Sequence, residues 1–187
     1  AMPAWRTGKY QLLNQANGIR DFQAFDKRNK QLSWSRIDKS RWQINNPSKG
    51  PVKFSYQLYA NELGLRTRHI SDTHAYLDAT ATLMYSPSHT DQIHQVSLSV
   101  PKQWKSYSGM VQLGAHEFVA QDWHQLADSP IETGINELYE FEADGRDYQV
   151  VFWGQSNRSN QKIVDDLKKM VIQSQTIWKG YPYHKYV

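Results

Sequence analysis

A chain of 187 residues with 22 basic and 18 acidic side chains, a net charge of +4 and no cysteine can bury a core but can hold neither a disulfide framework nor a thiolate metal site. The charges of both signs are interspersed, which argues against nucleic-acid binding despite a pI of 9.2, and no apolar run approaches the ~20 residues of a membrane span. Aromatic residues at 13% favour strands, whereas only 39% hydrophobic residues and a mean hydropathy of −0.75 imply that some surface belongs against a partner.

The opening stretch AMPAWRTGKY lacks the basic and apolar regions of a secretion signal, and Ala1-Met2 reads as an addition to a chain that begins inside a longer gene. Strands are predicted at QLSWSRI (31–37) and SRWQI (40–44). In PVKFSYQLYA, Val52, Phe54, Tyr56 and Leu58 alternate with Lys53, Ser55, Gln57 and Tyr59, the period of a strand with one buried face. DATATLMYS (78–86) and HQVSLSVP (94–101) are read as further strands, the second stopped by Pro101. In LYEFEADGRDYQVVFWG, Asp144-Gly145 supplies a tight turn between Leu138–Glu142 and Tyr148–Trp153, a hairpin signature. The period then changes. Ile163, Val164, Leu167, Met170, Val171, Ile177 and Trp178 fall at helical spacing, with Ser159 or Asn160 as cap, Gly180 as stop and Asp165 to Lys169 as a solvent-side ion pair. The expected fold is mainly β: an antiparallel β-sandwich or saddle over residues 1–156, then 157–187 as one amphipathic α-helix plus linker that open a second domain.

The seven histidines include no pair with metal-ligand spacing. His116-Glu117 begins an H-E-x-x-H string, but position 120 is Ala and His124 lies more than two helical turns on, so both imidazoles cannot share one helical face. His116-Glu117 is therefore read as a bystander on a strand or loop. Neither a nucleophile elbow nor a P-loop is present, and no catalytic, metal or cofactor site is expected within these residues. Trp5, Trp34, Trp42, Trp104, Trp123 and Trp153 fit core packing better than a stacking face for sugars or bases.

Four phrases taken in order resemble one family. Trp5-Arg6-Thr7-Gly8-Lys9-Tyr10, Tyr56-Gln57-Leu58-Tyr59-Ala60 with Leu65-Arg66-Thr67, Asp128-Ser129-Pro130-Ile131-Glu132-Thr133-Gly134, and Pro182-Tyr183-His184-Lys185-Tyr186 are similar to phrases of the bacterial and archaeal glycyl aminopeptidase-like zinc metallopeptidases that carry a C-terminal PDZ domain. The resemblance runs along nearly the whole chain. Thr7 departs from the family's usual Pro, the strands that normally precede the first phrase are missing, and the family's zinc helix would lie beyond Val187.

The resemblance implies that this chain is the N-terminal β domain and the first helix of the catalytic domain of a zinc aminopeptidase. Alone it would be inactive. Its partners would be its own catalytic domain and, in the full-length protein, a peptide substrate, with Zn²⁺ held by two His and one Glu downstream. The resemblance also implies that an acidic residue just before the late hairpin binds the substrate α-ammonium, making Glu132 the first candidate and Asp128 the second. The alternative is that Pro130 and Gly134 shape a turn while the carboxylates cap backbone N–H groups or pair with a basic residue. A competing reading of the whole chain is a free-standing β-sandwich module binding carbohydrate or protein. It leaves the terminal amphipathic helix without a use.

Overall fold

The computed structural model of the protein describes residues 1–5, 11–64, 67–157, 159–178 and 180–187. Residues 6–10 and Leu65-Arg66, which belong to two of the phrases above, lie outside them. After a turn of 3-10 helix at Gln15–Gly18, the strands β1 (Ile19–Asp26), β2 (Trp34–Arg36), β3 (Trp42–Ile44) and β4 (Val52–Leu58) form two antiparallel pairs, β1 with β4 and β2 with β3. β4 keeps the predicted alternation at Val52, Tyr56 and Leu58, which are half-buried, whereas Phe54 of the same face is 39% exposed. β1 does not. Asp21 takes a φ of 50° where the register slips between Arg20 and Gln23, and with this bulge Ile19 and Phe22, three residues apart, are both buried, Ile19 beside Met2 and Ala16 and Phe22 in the adjoining cluster with Ala24 and Leu32. Ala1-Met2 is part of the packing: Met2 is buried against Ala16 and Ile19, and the backbones of Ala1 and Tyr85 exchange hydrogen bonds of 2.6 and 2.8 Å.

The middle of the chain runs β5 (Arg68–Ile70), β6 (His74–Leu77), α1 (Ala79–Thr82), β7 (His94–Ser97), β8 (Lys105–Tyr107), β9 (Val111–Gly114), β10 (Glu117–Ala120), α2 (Trp123–Asp128) and β11 (Ile131–Gly134). DATATLMYS is not a strand: the Asp78 side chain accepts from Thr80 N at 2.9 Å and caps a single helical turn of small residues. HQVSLSVP leaves its sheet after Ser97 rather than at Pro101, although Val96, Leu98 and Val100 keep their alternation. β7, β10 and β9 form one antiparallel sheet, and β5-β6-β11-β8 form a second. Phe118 and Ile131 from these sheets, with Met110 just before β9, meet Trp123 and Leu126 of α2 in the principal core. Trp104 and Trp123 are core residues, while Trp5, Trp34 and Trp153 stand at least a third exposed, so core packing describes only part of the tryptophan set.

The chain ends with β12 (Glu137–Ala143), β13 (Arg146–Phe152), α3 (Asn160–Ser174) and β14 (Lys185–Tyr186). Asp144 and Gly145 have φ of 53° and 67°, the pair of positive values that a two-residue primed turn requires, and the hairpin closes where expected. Ser159 caps α3 by accepting from Lys162 N at 3.3 Å. The helix stops at Ser174, short of Ile177 and Trp178. Lys169 pairs with Asp166 rather than with Asp165, which accepts from Gln161 instead. β14 joins β13 in parallel; the other pairings among the described strands are antiparallel. The fold is thus mainly β with antiparallel sheets and one longer C-terminal helix.

Candidate functional site

Asp128-Ser129-Pro130-Ile131-Glu132-Thr133-Gly134 is the end of α2 followed, after Ser129-Pro130, by the strand β11. Ile131 and Glu132 therefore point to opposite faces of the sheet, because successive side chains alternate. Ile131 enters the core, and Thr133 is buried on the same side with its hydroxyl 2.7 Å from Ser106 Oγ. Glu132 stands on the other face. There Tyr76 and Tyr107 are its directly opposed cross-strand neighbours, on β6 and β8, and His69 of β5 lies opposite Tyr76. One row across four strands thus reads His69, Tyr76, Glu132, Tyr107.

His74, two residues before Tyr76, shares that face and lies opposite Gly134. A Cβ at position 134 would come within 2.5 Å of the Thr73 carbonyl oxygen and 2.9 Å of His74 Cα, so glycine is what lets the two strands meet here. His74 Nε2 is hydrogen-bonded to Glu132 Oε1. Its Nδ1 lies 3.3 Å from His69 Nδ1, and its ring is stacked on Trp153 at 4.2 Å between centroids and 18° between planes. Trp153 Nε1 in turn donates to Thr73 Oγ1 at 3.3 Å.

The front of Glu132, whose side chain is 21% exposed, opens into a cleft of about 670 Å³. Tyr76, Tyr107 and Asp128 line it from the sheet and α2 side, and Tyr183, Lys185 and Tyr186 line it from the C-terminal segment. That segment is held by backbone pairing: Asp147 N donates to His184 O at 3.0 Å and Tyr148 lies beside Tyr186 in register. The Tyr183 hydroxyl contacts that of Tyr148 at 3.3 Å. Burial and that contact push the Tyr183 phenol up to about 12, which keeps it neutral.

Burial penalises charge at the back of the cleft. It pushes the Glu132 carboxyl up to about 7. Burial first, and the neighbouring His69 second, hold His74 down at about 4. At neutral pH His74 is therefore an uncharged partner, and Glu132 stands near the middle of its titration, where a cation in the cleft draws it toward the carboxylate form. A carboxylate among tyrosine rings suits a primary ammonium, which gains a charge-assisted hydrogen bond and the negative faces of the rings together.

The cleft brings together both candidate residues, Glu132 and Asp128, with Tyr183, Lys185 and Tyr186 of the last of the four phrases. His116 and Glu117 stay apart from it: His116 sits in the turn between β9 and β10 with Nδ1 2.7 Å from Ser106 Oγ, on the core side of the sheet, and Glu117 is exposed. His69, His74 and Glu132 are strung in a line, each bonded to the next, and do not converge on a point. Among the described residues no group of three or more His, Asp or Glu side chains could hold a metal ion. His69, His74, Tyr76, Tyr107 and Trp153 were not recognisable as site residues in the sequence, where only the one-residue gap between His74 and Tyr76 hints at a shared face.

A family model described as the peptidase M61 N-terminal domain matches residues 1–135. The solved structure of an aminopeptidase N family protein from Idiomarina loihiensis superposes with a TM-score of 0.90 at 26% sequence identity, over 99% of this chain and 32% of that one. The present chain therefore spans about a third of that protein's length. No curated protein matches it.

Proposed function

Since the chain belongs to the family of M61 peptidase N-terminal domains, we propose that it is the non-catalytic β domain of a zinc-dependent aminopeptidase, providing the scaffold and one wall of the substrate cleft. Residues 1–156 make up that domain and 157–187 begin the catalytic domain. Its partners are that catalytic domain and a peptide substrate. The zinc, its two His and one Glu ligands and the general base belong to the remainder of the enzyme, which supplies water activation.

The observation that supports this reading is the cleft itself. Glu132 and Asp128 face the segment Pro182–Val187 across it, and that segment is the part of the chain that resembles the approach to a catalytic domain. In this role Glu132 accepts a hydrogen bond from the substrate α-ammonium, and Asp128 adds negative charge at the rim. An enzyme that removes N-terminal residues has to reject blocked amines, and a half-buried carboxylate with one oxygen on His74 does so when its other oxygen is left without the ammonium.

The test is Glu132→Gln in the complete enzyme. Preference for free over N-acetylated glycyl peptides is expected to fall by roughly ten- to a hundredfold, the value of a hydrogen bond between charged groups. Unchanged preference would remove Glu132 from amine recognition.

A further inference from the structure

Glu132 is held from behind as well as from its cross-strand neighbours. Its Oε1 is bonded to a histidine that is buried, stacked on Trp153, and in contact through its other ring nitrogen with a second histidine. A neutral imidazole donates from one nitrogen and accepts at the other, so the neighbours of His74 decide its tautomer.

We infer that His74 and His69 are positioning residues for Glu132: His69 donates from Nδ1 to His74 Nδ1, which fixes the Nε2–H tautomer of His74, and that N–H donates to one carboxylate oxygen of Glu132, leaving the other for a ligand ammonium. The ammonium role rests on the function proposed above. Trp153 holds the His74 ring in plane, and Gly134 lets the His74 backbone close on β11 so that the ring reaches diagonally to Glu132.

Uptake of one proton reverses the row. Glu132 becomes an O–H donor to His74 Nε2, His74 donates from Nδ1 to His69 Nδ1, and the added proton rests on His69 Nε2. In that state Glu132 has lost its charge and the cleft its hold on an ammonium. The other titratable groups around Glu132 are Tyr76 of β6, Tyr107 of β8, Asp128 of α2, and Tyr183, Lys185 and Tyr186 of the C-terminal segment. Burial raises the phenols of Tyr107 and Tyr183, which leaves both uncharged near neutrality.

Two measurements test the row. Nitrogen-15 NMR of the histidine rings in this chain at pH 8 is expected to find His74 protonated on Nε2; protonation on Nδ1 overturns the inference. In the complete enzyme, His74→Leu is expected to raise KM for a glycyl anilide about tenfold with kcat within about twofold. His74→Gln, which keeps a side-chain N–H near the position of Nε2, should return KM to within about threefold. If Glu132→Gln abolishes the preference for free amines while His74→Leu leaves KM unchanged, the positioning roles fall and the cleft reading stands. If Glu132→Gln itself has no effect, the cleft reading falls and this inference with it.

Discussion

The sheet β5-β6-β11-β8 and the helix α3 both carry apolar residues at the spacing their backbone demands, yet the sheet buries more of them within this chain, Ile70 at its β5 edge excepted. Ile131, Ala75 and Thr133 go fully into the core while the opposite face collects the polar row around Glu132. In α3, Val164 is buried and Ile163, Leu167 and Val171 are half-buried, but Met170 is 66% and, just past the helix, Trp178 is 68% exposed. The helix meets the rest of the fold mainly along β12, where Asn160 Nδ2 donates to Glu137 Oε2 at 2.9 Å. Periodicity thus tells which face of an element is apolar. It does not tell whether that face is covered by the same chain, and the uncovered part of α3 fits the low overall hydropathy read from composition.

The contrast is broken most forcefully at Phe118. It is fully buried beside Met110 and Trp123, so Phe118→Ala should cost about 3–5 kcal/mol, read from the denaturant midpoint of the chain. A loss under 1 kcal/mol would mean that this core is no better completed than the face of α3.

A smaller effect separates the two members of the buried pair by sign. His74 is held at about 4 against an ordinary 6.5, so its contribution to stability is present above 6.5 and is lost as pH falls toward 4. Glu132 is raised to about 7 from 4.5. Its contribution is present below 4.5 and is lost as pH rises through 7. Between about 4.5 and 6.5 the two slopes oppose each other in the native chain. Glu132→Gln should therefore give stability that rises with pH across this window, and His74→Leu stability that falls. Melting temperatures at several pH values check both, and slopes of the same sign would refute the assignment.

The smallest change is expected on the helix. Met170→Ala should shift stability of this chain by no more than about 0.5 kcal/mol, because the side chain is already in water. A larger loss in the same denaturant titration would show that the far half of α3 is covered after all.

Much of this was legible in order along the chain. β4, the Asp144-Gly145 hairpin and the Ser159-capped start of α3 follow from period, turn chemistry and capping, which act over a few residues and so leave a local trace. β1 escaped because its bulge at Asp21 replaces alternation by a spacing of three. DATATLMYS misled because its apolar residues are small enough for one buried helical turn, which Asp78 then caps. The site was half legible. Glu132 and Asp128 were named through a family resemblance, whereas His69, His74, Tyr76, Tyr107 and Trp153 were not.

Sequence alone determined the class of the fold, the hairpin, the helix and the lack of a zinc helix in these residues, since each depends on neighbours in the chain. The tertiary structure decided that the segment around Glu132 is a strand, that its carboxyl stands opposite the core, and that two histidines lie behind it. Strand pairing does this: antiparallel register sets Tyr76 and Tyr107 beside Glu132 from 56 and 25 positions away in the sequence, and no local pattern encodes which strands will meet.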